Sequence, residues 1–205
     1  MLERPDLIVP LVIFSFVAFV TPGPNNLMLM TSGLNFGLRR TLPHLLGIEF
    51  GFAFMFLCVG LGLGAFFKSF PILYTIIKYA GAGYMLFLAW KIETSEPPDA
   101  NTSETTKQPL SFMQAAVFQW VNPKAIAMAI GTAASYSAVA AYPYNMVLIA
   151  VLFILIGIPS CTIWAGLGVV MQRFLHRPTL LRGFNIVMAM LLAASLYPVF
   201  ADIWR

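Results

Sequence analysis

The sequence predicts an all-α integral membrane protein: six transmembrane helices as two inverted three-helix repeats, with helices 1 and 4 broken. Three observations carry this reading. The chain of 205 residues is 60% hydrophobic and 10% charged, a balance outside that of soluble domains. Its apolar segments are long, which favours helices over barrel strands of about ten alternating residues. Two of those segments are interrupted by short polar, proline-containing runs, and a long polar stretch separates three apolar segments from three others.

Helix 1 is expected over residues 7–34. An apolar run from Leu7 to Val20 meets Thr21-Pro22-Gly23-Pro24-Asn25-Asn26 and then resumes. The flank Glu3, Arg4 and Asp6 is not the basic start of a signal peptide and no Ala-x-Ala site follows, so this segment is read as a retained helix. Helix 2 (41–67) ends around Gly60-Leu61-Gly62, with Lys68 and Pro71 beyond. Helix 3 (71–92) leads into Glu93–Pro109, rich in Ser, Thr, Pro and acids and read as a flexible linker. Helix 4 (110–138) is interrupted by Gln119-Trp120-Val121-Asn122-Pro123-Lys124. Helix 5 (144–172) ends around Gly166-Leu167-Gly168, with Arg173, Arg177 and Pro178 beyond, and helix 6 covers 179–201. The organisation is thus a first repeat 1–92, a linker 93–109 and a second repeat 110–205. The halves echo each other, and an odd number of helices per half inverts the second in the membrane. Small-xxx-small pairs at Gly47/Gly51, Gly60/Gly64 and Ala80/Gly83 predict close helix packing.

Orientation follows from the basic residues of short loops. Arg39, Arg40, Lys91, Lys107, Arg173 and Arg177 lie on one side, against Arg4, Lys68 and Arg205 on the other. The first side, with the linker, is expected to be cytoplasmic and both termini outside. The net charge of +4 is accounted for by these loops and calls for no nucleic acid.

Non-helical backbone at membrane depth survives only where protein buries it or where it lines a polar cavity. Pro22 and Pro24 withhold donors from the carbonyls of Ala18 and Val20, and Pro123 from that of Gln119, leaving free acceptors. The half-helices restarting beyond each break carry free N–H groups with positive partial charge. A zwitterion suits that arrangement. The expected substrate-binding residues are Pro22, Gly23, Pro24, Asn25 and Asn26 in helix 1, with Gln119, Asn122, Pro123 and Lys124 in helix 4. The plain alternative is a pair of proline kinks without a ligand.

Glu49 lies roughly 12 Å from the cytoplasmic end of helix 2, and Gln119 about 14 Å into helix 4. A charge at the centre of a membrane helix costs about 2.5–3.5 kcal/mol. Glu49 is therefore the candidate for proton coupling or ammonium binding; its bland alternatives are a carboxyl hydrogen-bonded between helices and a salt bridge to Lys124. If the Gly47/Gly51 face packs on a neighbour, Glu49, about 200° round the helix, points the other way. His44 is expected at the interface, and Lys78 and Arg182 are expected to snorkel. Asn185 reads as inter-helix glue. Cys58 and Cys161 fall in apolar segments and read as packing residues. The sequence holds no nucleotide loop, no metal-ligand cluster and no nucleophile with a paired histidine, so no catalytic residue, cofactor or metal is expected.

The motifs Thr21-Pro22-Gly23-Pro24-Asn25, Ala80-Gly81-Ala82-Gly83-Tyr84 through Ala89-Trp90-Lys91, and Gln119 to Lys124 resemble those of the LysE/RhtB family of amino-acid exporters. With the length, the six helices and the linker, the resemblance covers nearly the whole chain. Asn25-Asn26 and Asn185-Ile186-Val187 look most like the cysteine/O-acetylserine branch. The resemblance implies export of small amino acids or derivatives across the bacterial inner membrane, driven by protons. The partners expected are that small molecule, protons, the lipid bilayer and room for a homodimer. Glu49 departs from the family pattern, so no family role is carried onto it. The rival readings are an intramembrane enzyme, for which His44 and His176 are poorly placed, and a structural or partner-binding membrane protein, which needs no paired breaks.

The orientation is directly testable. Ser103→Cys, in a chain whose two native cysteines are replaced, should resist a membrane-impermeant thiol reagent in intact cells. Ready labelling there would reverse the orientation.

Overall fold

The computed structural model describes residues 2–63, 71–94, 108–172, 174 and 178–194. Lys68, Gly64, Lys107, Arg173, His176, Arg177, the linker between Thr94 and Gln108, and everything past Ala194 lie outside the described residues. The described residues are helical nearly throughout. Seven α-helices are seen: α1 (Ile8–Val20), α2 (Pro24–Cys58), α3 (Pro71–Glu93), α4 (Phe112–Phe118), α5 (Pro123–Tyr136), α6 (Tyr144–Gln172) and α7 (Pro178–Ala194).

The count of seven arises where the chain departs from the expected helix limits. α1 stops at Val20 because Thr21 is extended, and α2 starts at Pro24, where a missing N–H is harmless. α2 is not one rod. Gly37 sits inside it at φ 75, ψ 166, a conformation open essentially to glycine alone. The Thr41 hydroxyl lies 3.3 Å from that of Ser32. Nine residues of straight helix would rise about 13.5 Å, so the chain reverses at Gly37. The second helix therefore begins near residue 38 rather than 41. It ends in a π-helical turn, Val59–Leu63.

α4 opens with a reciprocal cap: Ser111 Oγ accepts from Gln114 N, and Gln114 Oε1 accepts from Ser111 N. It gives way to a 3-10 turn at Gln119–Val121, the chain extends at Asn122, and α5 restarts at Pro123. Asn122 Oδ1 accepts from Lys124 N and so caps α5.

Glycines set the packing. α2 lies most extensively against α6, where a Cβ on Gly33 would reach 2.1 Å from the Ala165 carbonyl oxygen and one on Gly168 2.0 Å from that of Met30. Gly47 and Gly51 lie against α4 at Phe112, Ala115 and Ala116. Gly60 faces Met146. Gly83 has nothing near it and Ala80 is exposed, so the expected Ala80/Gly83 packing face is not one. α3 packs instead on α7, through a cluster that includes Ala82, Met85, Leu88, Ala189 and Leu192. Large apolar side chains such as Val9, Phe54, Ile72, Leu155 and Met190 are exposed all round the bundle.

The chain start is tied to the far half. Glu3 N and Arg4 N donate to the Val139 carbonyl, and Leu2 bridges Ala140. Arg4 pairs with Asp6 at 2.7 Å, and that guanidinium holds the Asp6 carboxyl below its usual value. Both groups are exposed, where such pairs add little.

Two glycines on α6 separate packing from propensity. Gly168→Ala should destabilise the purified protein by about 1–3 kcal/mol, because its Cβ meets backbone that cannot yield. Gly166→Ala, with open space around it, should match or slightly exceed the parent. Thermal midpoints in detergent check the pair.

Candidate functional site

The short connection between α1 and α2 meets the one between α4 and α5. Asn25 Nδ2 donates to Gln119 Oε1 at 2.9 Å, and Gln119 Nε2 donates back to Asn25 Oδ1 at 3.2 Å. These amides are 94 positions apart in the chain. Gln119 Nε2 also donates to the Ala115 carbonyl.

Of the carbonyls expected to be free at the breaks, those of Val20 and Gln119 are engaged, and so are the neighbouring Phe19 and Thr21 carbonyls. Asn26 Nδ2 donates to the carbonyls of Phe19 (2.7 Å) and Thr21 (2.9 Å). The Lys124 ammonium donates to the Thr21 carbonyl at 2.6 Å, and the Trp164 indole to that of Val20 at 3.2 Å. The Gln119 carbonyl accepts from Asn122 N within the 3-10 turn. The physical reason is that a carbonyl released inside a packed bundle is costly until some donor reaches it. Gly23 leaves room for one of these bonds: a Cβ there would come 2.7 Å from Lys124 Cδ, so a larger residue would make the lysine stem shift.

A cavity opens at this junction. Its walls include Gly23, Asn25, Asn26, Asn122 and Lys124, with Cys161 of α6. Of the other expected residues, Pro22 is exposed, and Pro24, Gln119, Pro123 and Glu49 are not in its wall. The space open to water-sized centres is about 30 Å³, where one water needs about 10–15 Å³. It has room for two or three waters and is too small for an amino acid. Phe19 and Phe52 close one side and pack with Phe56 and Phe153, at ring separations of 5.1–5.7 Å.

Glu49 is 1% exposed and faces away from the Gly47/Gly51 seam, toward α6. Cys161 Sγ donates to its Oε1 at 2.9 Å, while Oε2 has no partner. Gly157 provides the space, since a Cβ there would collide with the carboxylate. Glu49 and Lys124 form no salt bridge: the ammonium is on the Thr21 carbonyl instead. Cys161 links the carboxyl to the cavity wall. His44 is 2% exposed, buried within the bundle, because the turn at Gly37 folds its helix against the preceding half-helix.

Sequence reasoning missed Thr21, Trp164 and the polar partnership of Cys161. Thr21 acts through its backbone oxygen, which no side-chain pattern announces. Trp164 had a usable signal: an indole N–H in an apolar helix needs an acceptor.

These findings converge with what the chain resembles. Residues 16–196 match the model of the LysE type translocator family. The cysteine/O-acetylserine efflux protein of Escherichia coli is 30% identical over 190-plus residues, 198 in all, covering 96% of this chain and 98% of that protein. The protein of the same description from Salmonella typhi is 30% identical over 190 residues, 91% of this chain and 94% of its own length. No solved structure matches the chain. The chain belongs to the LysE type translocator family, and is a transporter rather than an enzyme.

Proposed function

We propose that this protein is a secondary active exporter of small amino acids or their derivatives, carrying them from the bacterial cytoplasm across the inner membrane. The observation that carries the reading is the meeting of two interrupted helices around a polar cavity, joined by the Asn25–Gln119 amide pair. The names of the relatives make cysteine and O-acetylserine the first compounds to test.

The helices support six crossings. α1 with the first half of α2 forms one, and the rest of α2 the next. α4 with α5 forms the fourth, and α3, α6 and α7 supply the others. α6 alone, at 29 residues, is about 43 Å long, more than the roughly 30 Å of a bilayer core. In an inverted repeat each element faces its counterpart. Here interruption meets interruption, α2 lies on α6, and α3 on α7. The link from Leu2–Arg4 to Val139–Ala140 puts the chain start and the α5–α6 connection at one end, the outer one in this orientation. The Phe19, Phe52, Phe56 and Phe153 cluster then closes the cavity on the outer side. Alternating access requires these rings to part.

In this mechanism the substrate displaces the internal bonds. A carboxylate takes the Lys124 ammonium from the Thr21 carbonyl, and an ammonium replaces a donor on the released carbonyls. Glu49 is the coupling group. Its free Oε2 can take a proton, and Cys161 relays the change to the cavity wall.

Asn26→Leu should reduce export roughly tenfold or more at equal membrane abundance, since a buried carbonyl left without a donor costs about 1–3 kcal/mol. Pro24→Ala only returns an N–H to a first-turn position that lacks an acceptor anyway, and should keep most activity. Efflux from loaded proteoliposomes compares the two. The reverse order would show that the proline, not the asparagine, makes the break.

Glu49→Gln keeps size and hydrogen bonding but cannot titrate. The variant should insert normally and still exchange substrate downhill, yet fail to concentrate it when only a pH difference is imposed. Uphill transport by Glu49→Gln in the same vesicles would leave Glu49 a structural carboxyl.

A further inference from the structure

The walls of the cavity between the α1–α2 and α4–α5 connections divide into two chemistries. Gly23, Asn25, Asn26, Asn122 and Lys124 make a polar side. Phe19, Ile48, Phe52, Ala125 and Met128 are on the apolar side. Lys124 is the one charged residue among the described walls, and no carboxylate stands with it. A ligand matched to that division has a polar end carrying a carboxylate and an uncharged tail. A second cation, on the tail, would be buried without a counter-charge, which is costly.

Lys124 and Met128 share one face of α5. They are four residues apart, about 40° round the helix and 6 Å along it. Both border a hollow with room for only two or three waters. A ligand whose carboxylate is on Lys124 therefore has its side chain within reach of Met128.

The hollow must widen before an amino acid fits, and its apolar walls differ in how readily they yield. Phe19 and Phe52 are buried and interlocked with Phe153 at ring separations of 5.1–5.7 Å. Ile48 is buried in the bundle, and Ala125 has no side chain to move aside. Met128 is only half-buried and packs against the edge of the cluster that holds the rings. Its unbranched thioether chain is the most adaptable of apolar side chains. It can swing or shorten while the rings stay in place.

We propose that Met128 is a specificity-determining residue of transport, closing the part of the cavity that receives the substrate's side chain and so selecting short, uncharged ones. The inference rests on the export reading and deepens it. One methylene in an apolar pocket changes preference by about 10–200-fold. Met128→Ala strips the side chain back to its Cβ, so long uncharged side chains gain. Met128→Phe fills the same space with a stiffer group, so the preference for short ones sharpens.

The test is mixed efflux from proteoliposomes loaded with equal amounts of L-alanine, L-cysteine, O-acetyl-L-serine, L-leucine and L-phenylalanine. The reading is the ratio of long to short compounds released from one vesicle population, which does not depend on how much protein is present. A merely structural role for Met128 would lower every rate and leave the ratio alone. The parent should favour the short compounds. Met128→Ala should raise the ratio about tenfold or more, and Met128→Phe should lower it. Met128→Val serves if the alanine variant fails to accumulate. Met128→Leu, close in volume, should keep the parent's ratio. Ile130→Ala is the control for a loosened helix: Ile130 is exposed, about 200° round α5 from Met128 and outside the cavity wall. Its ratio should match the parent's. Export with ratios that Met128→Ala and Met128→Phe leave unchanged would overturn this proposal and leave the export reading standing. A shift equally large in Ile130→Ala, or a parent that releases long and short compounds alike, would overturn it too. Release of no compound by the parent or any variant would sink both readings.

Discussion

Interrupting a helix inside a bundle releases backbone carbonyls, and each must find a donor away from water. Much of this structure follows from that requirement. The Phe19, Val20 and Thr21 carbonyls are met by Asn26, Trp164 and Lys124. Lys124 comes from the second interruption and Trp164 from α6, so the first break is held by elements of the other half. The same bonds also fasten the α1–α2 connection to α5 and α6. They are polar contacts in a place where apolar contacts would be cheaper.

Close backbone approach is the second condition. Asn25 reaches Gln119 only because α2 and α4 lie at glycine distance along Gly47 and Gly51. Gly33 and Gly168 hold the first half of α2 against α6 in the same way. Without a hydrophobic drive between helices in lipid, such small-residue seams and the polar bonds they permit are what organise a bundle. Gly157 shows the reverse use of glycine. It leaves a space that the Glu49 side chain fills, and so places that carboxyl beside Cys161 rather than against Lys124.

The element order was legible in the sequence. α6 spans the expected 144–172, and α3 differs from expectation by one residue. Hydropathy and length suffice for segments this apolar. The polar runs also marked where the helices stop, since Pro24 and Pro123 each open a new helix. What misled was the Gly37 turn. A single glycine between apolar and basic residues does not announce a reversal, so the second helix was placed three residues late and the burial of His44 inside the bundle was missed.

By itself, then, the sequence determined the all-helical class, most helix limits, the stops before Pro24 and Pro123 and the polar residues around them. Those depend on local composition and on backbone rules that act within a few residues. Tertiary structure decided which of those groups face one another. The Asn25–Gln119 pair, the hold of Lys124 on the Thr21 carbonyl, and the choice of Cys161 as the partner of Glu49 span separations of 94, 103 and 112 positions. A donor in a bundle takes whichever acceptor the packing brings within about 3 Å, and that is set by where glycines let the helices touch.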